Sequence, residues 1–461
     1  MGKKLTMKYL TFLFLFINIY CYGQFGPQQI IEIVTGNPRF VYSSDLDGDG
    51  RMDVLSVLQG ENKIVWYQNT DGVGNFSNQR IITANLESST TAIVADIDGD
   101  DDMDILGVSG PQDKVVWFEN LDGSGTFGVQ NIITTQADGA IGLYASDLDT
   151  DGDMDVLSAS FLDNKIAWYE NIDGLGTFGP QRILTNSALS TRDVYATDLD
   201  GDGDMDVLAA STADDRVIWF ENLDGLGNFG PEKIINNDAN GVIAVRAADL
   251  DGDGDNDVIA AIFGDGKISW YENMDGLGSF STEKVVTSLS LGVRIIQTAD
   301  IDKDGDLDIV YASAGDDIIG WCENTDGIGT FGTRQIITDE VMGAGAVFAA
   351  DLDGDTDLDV ISASIMDNKI AWYKNLTILG VQESFAESFS VYPNPVKDVL
   401  NIVPKSNIQI ESTGLYDALG RQVFQENGEK ATVDFTNISN GIYFLKLQTQ
   451  SNTFTIKIIK E

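Results

Sequence analysis

Histidine is missing from all 461 residues. Its absence removes Ser-His-Asp and Cys-His catalysis, His-ligated zinc or iron, and any proton transfer by imidazole. Basic residues are scarce: 28 Lys and Arg stand against 73 Asp and Glu, a formal charge of −45. A nucleic-acid binder needs a basic face for the phosphates, so nucleic acid is excluded as a partner. Cysteine is limited to Cys21 and Cys322. Cys21 lies in a leader expected to be removed, which leaves one thiol and no internal disulfide; stability outside the cell then rests on packing or bound metal. Long apolar runs are lacking beyond Leu10–Ile19, and none reaches the ~18 residues of a membrane span, so no transmembrane segment is expected in the mature chain. That one run follows Lys3, Lys4 and Lys8 and precedes the small Gly23, so residues 1–23 read as a secretory signal peptide.

Apolar residues make up 43% of the chain, enough to build cores, and 48 glycines suit many tight turns. The acid is unevenly spread. Residues 388–461 carry seven acidic and seven basic groups, whereas 24–387 hold 66 acidic and 18 basic. The acid belongs to one domain, and the tail is a separate object.

That domain repeats. The Asp opening each acidic loop recurs at Asp45, Asp96, Asp147, Asp198, Asp249, Asp300 and Asp351, every interval being 51, and all seven Trp keep the same step from Trp66 to Trp372. One unit reads as four strands: Phe40–Ser44, Val54–Leu58, Lys63–Tyr67 and a strand at Ile81-Ile82. Four strands repeated at about fifty residues predict an all-β fold, a seven-bladed β-propeller. The Asp-Gly-x-Gly turn follows six of the Trp but not Trp372; its missing outer strand sits 51 residues before Phe76, at Phe25–Ile31. The first strand of the mature chain is therefore expected to complete the seventh blade, pairing edges that would otherwise invite aggregation. The Trp series, at one fixed mid-strand place per blade, predicts inter-blade core rather than a sugar platform. Cys322, where other blades have Tyr or Phe, predicts a buried thiol.

Each loop follows Asp-x-Asp-x-Asp-Gly-x-x-Asp. The candidate ligands are Asp45, Asp47, Asp49 and Asp53 in blade one; Asp96, Asp98, Asp100 and Asp104 in blade two; and Asp147, Asp149, Asp151 and Asp155 in blade three. Blade four has Asp198, Asp200, Asp202 and Asp206, and blade five Asp249, Asp251, Asp253 and Asp257. Blade six has Asp300, Asp302, Asp304 and Asp308, and blade seven Asp351, Asp353, Asp355 and Asp359. Alternate carboxylates on a tight loop are a shortened EF-hand logic, with hard oxygens suited to Ca²⁺. Without a cation such clusters repel. Asp101 and Thr356 replace the Gly at the sixth place, so loops two and seven are expected to bind more weakly. Arg51 and Lys303 trim the charge of loops one and six.

Asymmetry points elsewhere. Arg39, Arg192 and Arg294 stand six residues before the opening Asp of blades one, four and six, with Arg246 in the same strand of blade five. These strand starts are expected to ring the central channel opposite the acidic loops, where arginines could orient an anionic ligand such as an acidic sugar.

The blades resemble the VCBS/FG-GAP repeats of integrin-like propellers, on Phe25-Gly26, Phe127-Gly128, Phe178-Gly179, Phe229-Gly230 and Phe331-Gly332 together with the acidic loops; Phe76-Ser77 and Phe280-Ser281 depart from the pattern. The resemblance implies calcium between the first two strands of each blade and partners mainly on the opposite face. The tail resembles the C-terminal sorting domain of type IX secretion. The matching residues are Val391-Tyr392-Pro393-Asn394-Pro395, Leu400-Asn401-Ile402, Leu415-Tyr416-Asp417-Ala418-Leu419-Gly420-Arg421, Gly441-Ile442-Tyr443 and Lys457–Lys460. It implies a small β-sandwich that engages the type IX machinery. The expected organisation is a signal peptide over 1–23, a propeller over 24–375, a linker over 376–385 and a sorting domain over 386–461. The expected product is exported through the periplasm and secreted or held at the outer cell surface, as a calcium-binding module for a glycan or surface protein. A calcium-dependent polysaccharide lyase or hydrolase and a ligand-free spacer remain the alternatives. Against an enzyme, the acids sit in symmetric loops and no unrepeated pair stands at catalytic spacing.

Overall fold

Six of the 51-residue copies each fold into one four-stranded antiparallel sheet, and the seventh supplies three strands of another. In blade one the strands are Pro38–Ser44, Asp53–Leu58, Lys63–Tyr67 and Arg80–Thr83, from the channel outward. The computed structural model describes residues 24–376, 389–404, 410–417, 421–428, 432–449 and 453–460. The expected signal peptide, residues 377–385 of the expected linker and Ala418-Leu419-Gly420 of the tail motif lie outside them.

Burial explains the strand sequences. The second strand, Asp53–Leu58, is buried at all six positions, and its counterparts in the other blades are too. A sheet covered on both faces calls for a near-continuous apolar run instead of alternation. The outer strand Arg80–Thr83 is half solvated and carries the polar residues. Between blades, Trp66 packs under Gly125 of the next sheet. A Cβ at Gly125 would stand 2.3 Å from the indole, and the residue has φ +76°, so only glycine serves there. Phe127 meets the same indole edge-on at 6.4 Å. The Trp series is thus inter-blade core, and Cys322 is a buried thiol.

Ring closure uses the amino-terminal strand. The seventh sheet runs Gln29–Ile33, Lys369–Tyr373, Asp359–Ser364, Ala344–Ala350, its outermost strand supplied from the other end of the repeat array. Phe25 bridges Asn375, Gly26 N–H donates to Lys374 O (2.8 Å), and Trp372 packs under Gly74 of blade one.

A second compact unit begins after Leu376. It pairs a three-stranded sheet (Phe389–Tyr392, Val399–Pro404, Thr432–Asp434) with a four-stranded one (Gln422–Asn427, Ile410–Asp417, Gly441–Thr449, Thr453–Lys460). Phe389, Leu400, Val433, Leu415, Leu445 and Ile458 share the core between them, which makes a β-sandwich. The Pro-Asn-Pro segment is tied to the closing strand: Asn394 Nδ2 donates to Lys457 O (2.8 Å) and Ile459 N–H to Asn394 Oδ1 (2.9 Å).

Candidate metal centres

Each acidic loop winds around its first carboxylate. In blade one Asp45 accepts the N–H groups of Asp49 (3.1 Å) and Gly50 (2.7 Å). The wrap needs left-handed backbone at two places. The sixth is anticipated by its glycines, and Asp101 (φ +71°) and Thr356 (φ +76°) adopt it against the cost of a Cβ. The fourth is also left-handed, with Thr150 (φ +58°) and Lys303 (φ +61°) among its glycines.

The ninth residue is the buried anchor. Asp53 accepts Leu46 N–H and Asn69 N–H, and all seven loops repeat the pair at 2.9–3.1 Å and 2.7–2.8 Å. Burial, first of all, pushes these carboxyls up, to about 7 for Asp53, Asp104, Asp155, Asp206, Asp257 and Asp359 and about 8 for Asp308. Burial and then the neighbouring carboxylates push up the third-place groups Asp98, Asp149 and Asp302, each to about 6.

Three carboxylates converge per loop: the first, third and ninth, as in Asp45, Asp47 and Asp53. Each offers an oxygen within 4.8 Å of the other two, in blades one to five, and two further clusters bring the number to seven. The fifth-place aspartates are not among the converging three of those blades. Their Oδ1 accepts the N–H of the seventh residue at 3.0 Å, as Asp202 does from Asp204. One oxygen of each third-place residue (Asp47, Asp98, Asp149, Asp200, Asp251, Asp302 and Asp353) is buried without a hydrogen-bond partner. Buried polar atoms are almost always satisfied, so the same orphaned oxygen in all seven loops fits a cation as its partner. The donors are hard oxygens alone, the set for Ca²⁺ or Mg²⁺ and not for zinc or copper.

The copies differ at one adjoining position. Blades two to six carry Glu119, Glu170, Glu221, Glu272 and Glu323 there, blade one Gln68 and blade seven Lys374. Gln68 donates to Asp47, and Lys374 reaches both Asp353 and Asp355, the latter at 3.0 Å. Arg51 pairs with Asp49 of its own loop (3.0 Å), whereas Lys303 crosses to Asp357 of loop seven (2.6 Å).

A second series escaped the sequence reading. Asn69, Asn120, Asn171, Asn222, Asn273, Asn324 and Asn375 are buried and also recur every 51 residues. Each Nδ2 donates to the carbonyl of the second loop residue in the preceding blade, at 2.7–3.0 Å. Neighbouring acidic loops are therefore mechanically linked right round the ring. Asn69 to Leu352 closes it.

The arginines lie at the other end of the inner strands. Arg39, Arg192 and Arg294, with Arg246, line a cavity of about 370 Å³ in the channel. Below the first three runs a belt of Tyr42, Tyr144, Tyr195 and Phe348, with ring pairs at 4.4 Å (Tyr42–Phe348) and 4.6 Å (Tyr144–Tyr195).

A family model described as an FG-GAP-like repeat matches six overlapping segments: 45–107, 96–158, 147–209, 198–260, 249–311 and 300–362. Each begins on the opening Asp of a loop. The chain belongs to the FG-GAP-like repeat family. A secretion system C-terminal sorting domain matches residues 390–461, so this FG-GAP-like repeat protein carries an export tail of the type IX kind. No curated protein matches the chain. Among solved structures it is similar to an Agrocybe aegerita lectin that recognises non-reducing terminal N-acetylglucosamine (21% identity, TM-score 0.52, 74% of this chain and 86% of that one). It is also similar to virginiamycin B lyase from Staphylococcus aureus (11%, 0.51, 76% and 98%) and to BBS1N in complex with ARL6DN (9%, 0.54, 76% and 97%). At these identities the likeness is one of fold. No helix among the described residues is long and apolar enough to cross a membrane.

Proposed function

We propose that this FG-GAP-like repeat protein is a calcium-loaded propeller, exported by its tail to the cell surface or the medium, that binds a glycan through its channel face. The observation that carries this reading is the contrast between the two faces. One repeats the same acidic loop sevenfold, with an orphaned buried oxygen in every copy, and suits structural calcium. The other differs from blade to blade and holds a cavity walled by tyrosines, threonines and arginines, the mix of ring faces and placed polar groups that a small-ligand site needs. Calcium stiffens the loops, the asparagine ladder joins them, and the strands hold the opposite mouth in a fixed shape. A surface protein docking over that mouth is the second reading, supported by the exposed Leu162, Leu189, Leu289 and Leu291 around it.

The test is a glycan array with the full chain in millimolar calcium, beside a polysaccharide-degradation assay. Binding without depolymerisation is expected. Depolymerisation would replace a binding module by an enzyme, and an array without any ligand would move the case to the protein partner.

A further inference from the structure

Basic groups are scarce in a domain this acidic, and most of them are paired. Of the 18 in residues 24–387, 13 form an ion pair with a carboxylate among the described residues; the five that form none there are Arg39, Arg80, Lys114, Arg192 and Arg294. Three of those five line one cavity. We propose that Arg39, Arg192 and Arg294 form an oxyanion site at the channel mouth, and that its ligand is an acidic sugar residue bearing a carboxylate or sulfate. This rests on the reading of the channel face as the binding face and assigns the class of ligand.

Two of the three groups are built in. Arg192 lies over Phe161 at 4.7 Å and Arg294 over Phe263 at 5.7 Å, ring contacts that hold each guanidinium plane in place. The Nε atoms of Arg192 and Arg294 are buried and have no hydrogen-bond partner. A buried guanidinium N–H without an acceptor is costly, and an oxyanion is the acceptor that matches its fork. Burial first, then the charges of Arg294 and Arg192, brings Arg39 down to about 10, so the three cations repel one another with no anion between them. The one carboxylate among the lining residues cannot relieve this. Asp193 already takes Arg246 Nη1 (2.7 Å) and Val245 N–H (3.0 Å).

The rest of the cavity selects a ring rather than a bare ion. Its floor is the belt of Tyr42, Tyr144, Tyr195 and Phe348. A bare sulfate or phosphate would leave those ring faces uncovered, while a pyranose carries apolar C–H faces to lie on them and hydroxyls for the rim. The volume, about 370 Å³, is near the lower end of ligand pockets at about 300–1,000 Å³ and suits one or two sugar rings at a chain end.

The experiment titrates the full chain in millimolar calcium with oligogalacturonate, its methyl ester, a sulfated oligosaccharide and inorganic sulfate, by calorimetry. At least one acidic oligosaccharide is expected to bind, with the ester and inorganic sulfate at least 10-fold weaker. The triple variant Arg39→Ala, Arg192→Ala, Arg294→Ala should lose that binding by 10-fold or more at unchanged calcium uptake and Tm; if its Tm falls, the single variant Arg39→Ala carries the comparison. Equal affinity for acid and ester, or an acidic ligand indifferent to the arginines, would overturn the proposal. Neutral glycans that bind and are lost in Tyr144→Ala would overturn the acidic class while keeping the channel face. Inorganic sulfate binding as tightly as the oligosaccharide would reduce the site to a bare anion site and overturn the sugar.

Discussion

Replacing Asn171 by Ala tests whether the asparagine ladder holds the ring together. Its Nδ2 donates across the blade boundary to Ile97 O at 2.8 Å, and its Oδ1 accepts Gly176 N–H at 3.1 Å. The side chain is fully buried, so water cannot take its place. Truncation leaves one carbonyl and one N–H without partners, each costing about 1–3 kcal/mol, or about 2–6 kcal/mol together. With an unfolding entropy of about 2.1 cal/mol/K per residue, a unit of roughly 350 residues shifts about 1.4 °C per kcal/mol. The expected loss is about 3–8 °C in Tm, read by calorimetry of the full chain in saturating calcium. Asn171→Asp, which keeps the size but points a carboxylate at Ile97 O, should lose at least as much. If both variants melt within 1 °C of the parent, the ladder does not couple the blades and the argument fails.

Lys374→Glu installs in blade seven the residue that blades two to six carry, and frees Asp353 and Asp355; native mass spectrometry should then count one more tightly held calcium, and an unchanged count would refute the lysine as a resident cation. In EDTA the ninth-place carboxyls, raised by burial to about 7–8, favour the protonated fold. That stabilisation is fully present below the unfolded value near 4 and is lost as pH rises through about 7, so calcium-free Tm should fall between pH 5.5 and 8. Calcium binding needs the ionised carboxylates, so its affinity should rise over the same interval; a calcium-free Tm that climbs with pH would contradict the sign. Deleting residues 25–34 removes the outer strand of the seventh blade and should produce aggregation or a large drop in Tm; a monomer melting like the parent would mean the edge needs no partner.

What the sequence made legible was whatever seven blades must share. Trp66, the glycine of the following turn and the opening Asp recur at one interval because each blade meets its neighbour in the same way. The closing strand at Gln29–Ile33 was legible for the same reason, as a copy displaced to the other end. Asn69 and its six counterparts were equally periodic, yet an Asn shortly before Asp-Gly reads as the start of a turn, and the true partner lies in another blade, 74 residues away for the six and 283 for Asn69. The direction of the fifth-place carboxylates was hidden too, since spacing places a residue on a loop but not its side chain. The belt of Tyr42, Tyr144, Tyr195 and Phe348 was least visible. Binding surfaces differ from copy to copy, so a search for repetition passes over them; only the arginines, rare in so acidic a chain, gave that face away.

Titration calorimetry on the full chain, paired with melting curves in 5 mM calcium and in EDTA, decides whether the acidic loops hold calcium. Extracellular modules bind with dissociation constants of about 0.1–1 mM, so each filled site adds about 1–2 kcal/mol at that concentration. Uptake of six ions is expected, with a seventh only at higher concentration because Lys374 pairs with the carboxylates of that loop, and a rise in Tm on the order of 10 °C over EDTA. No uptake, with superimposable melting curves, would contradict it.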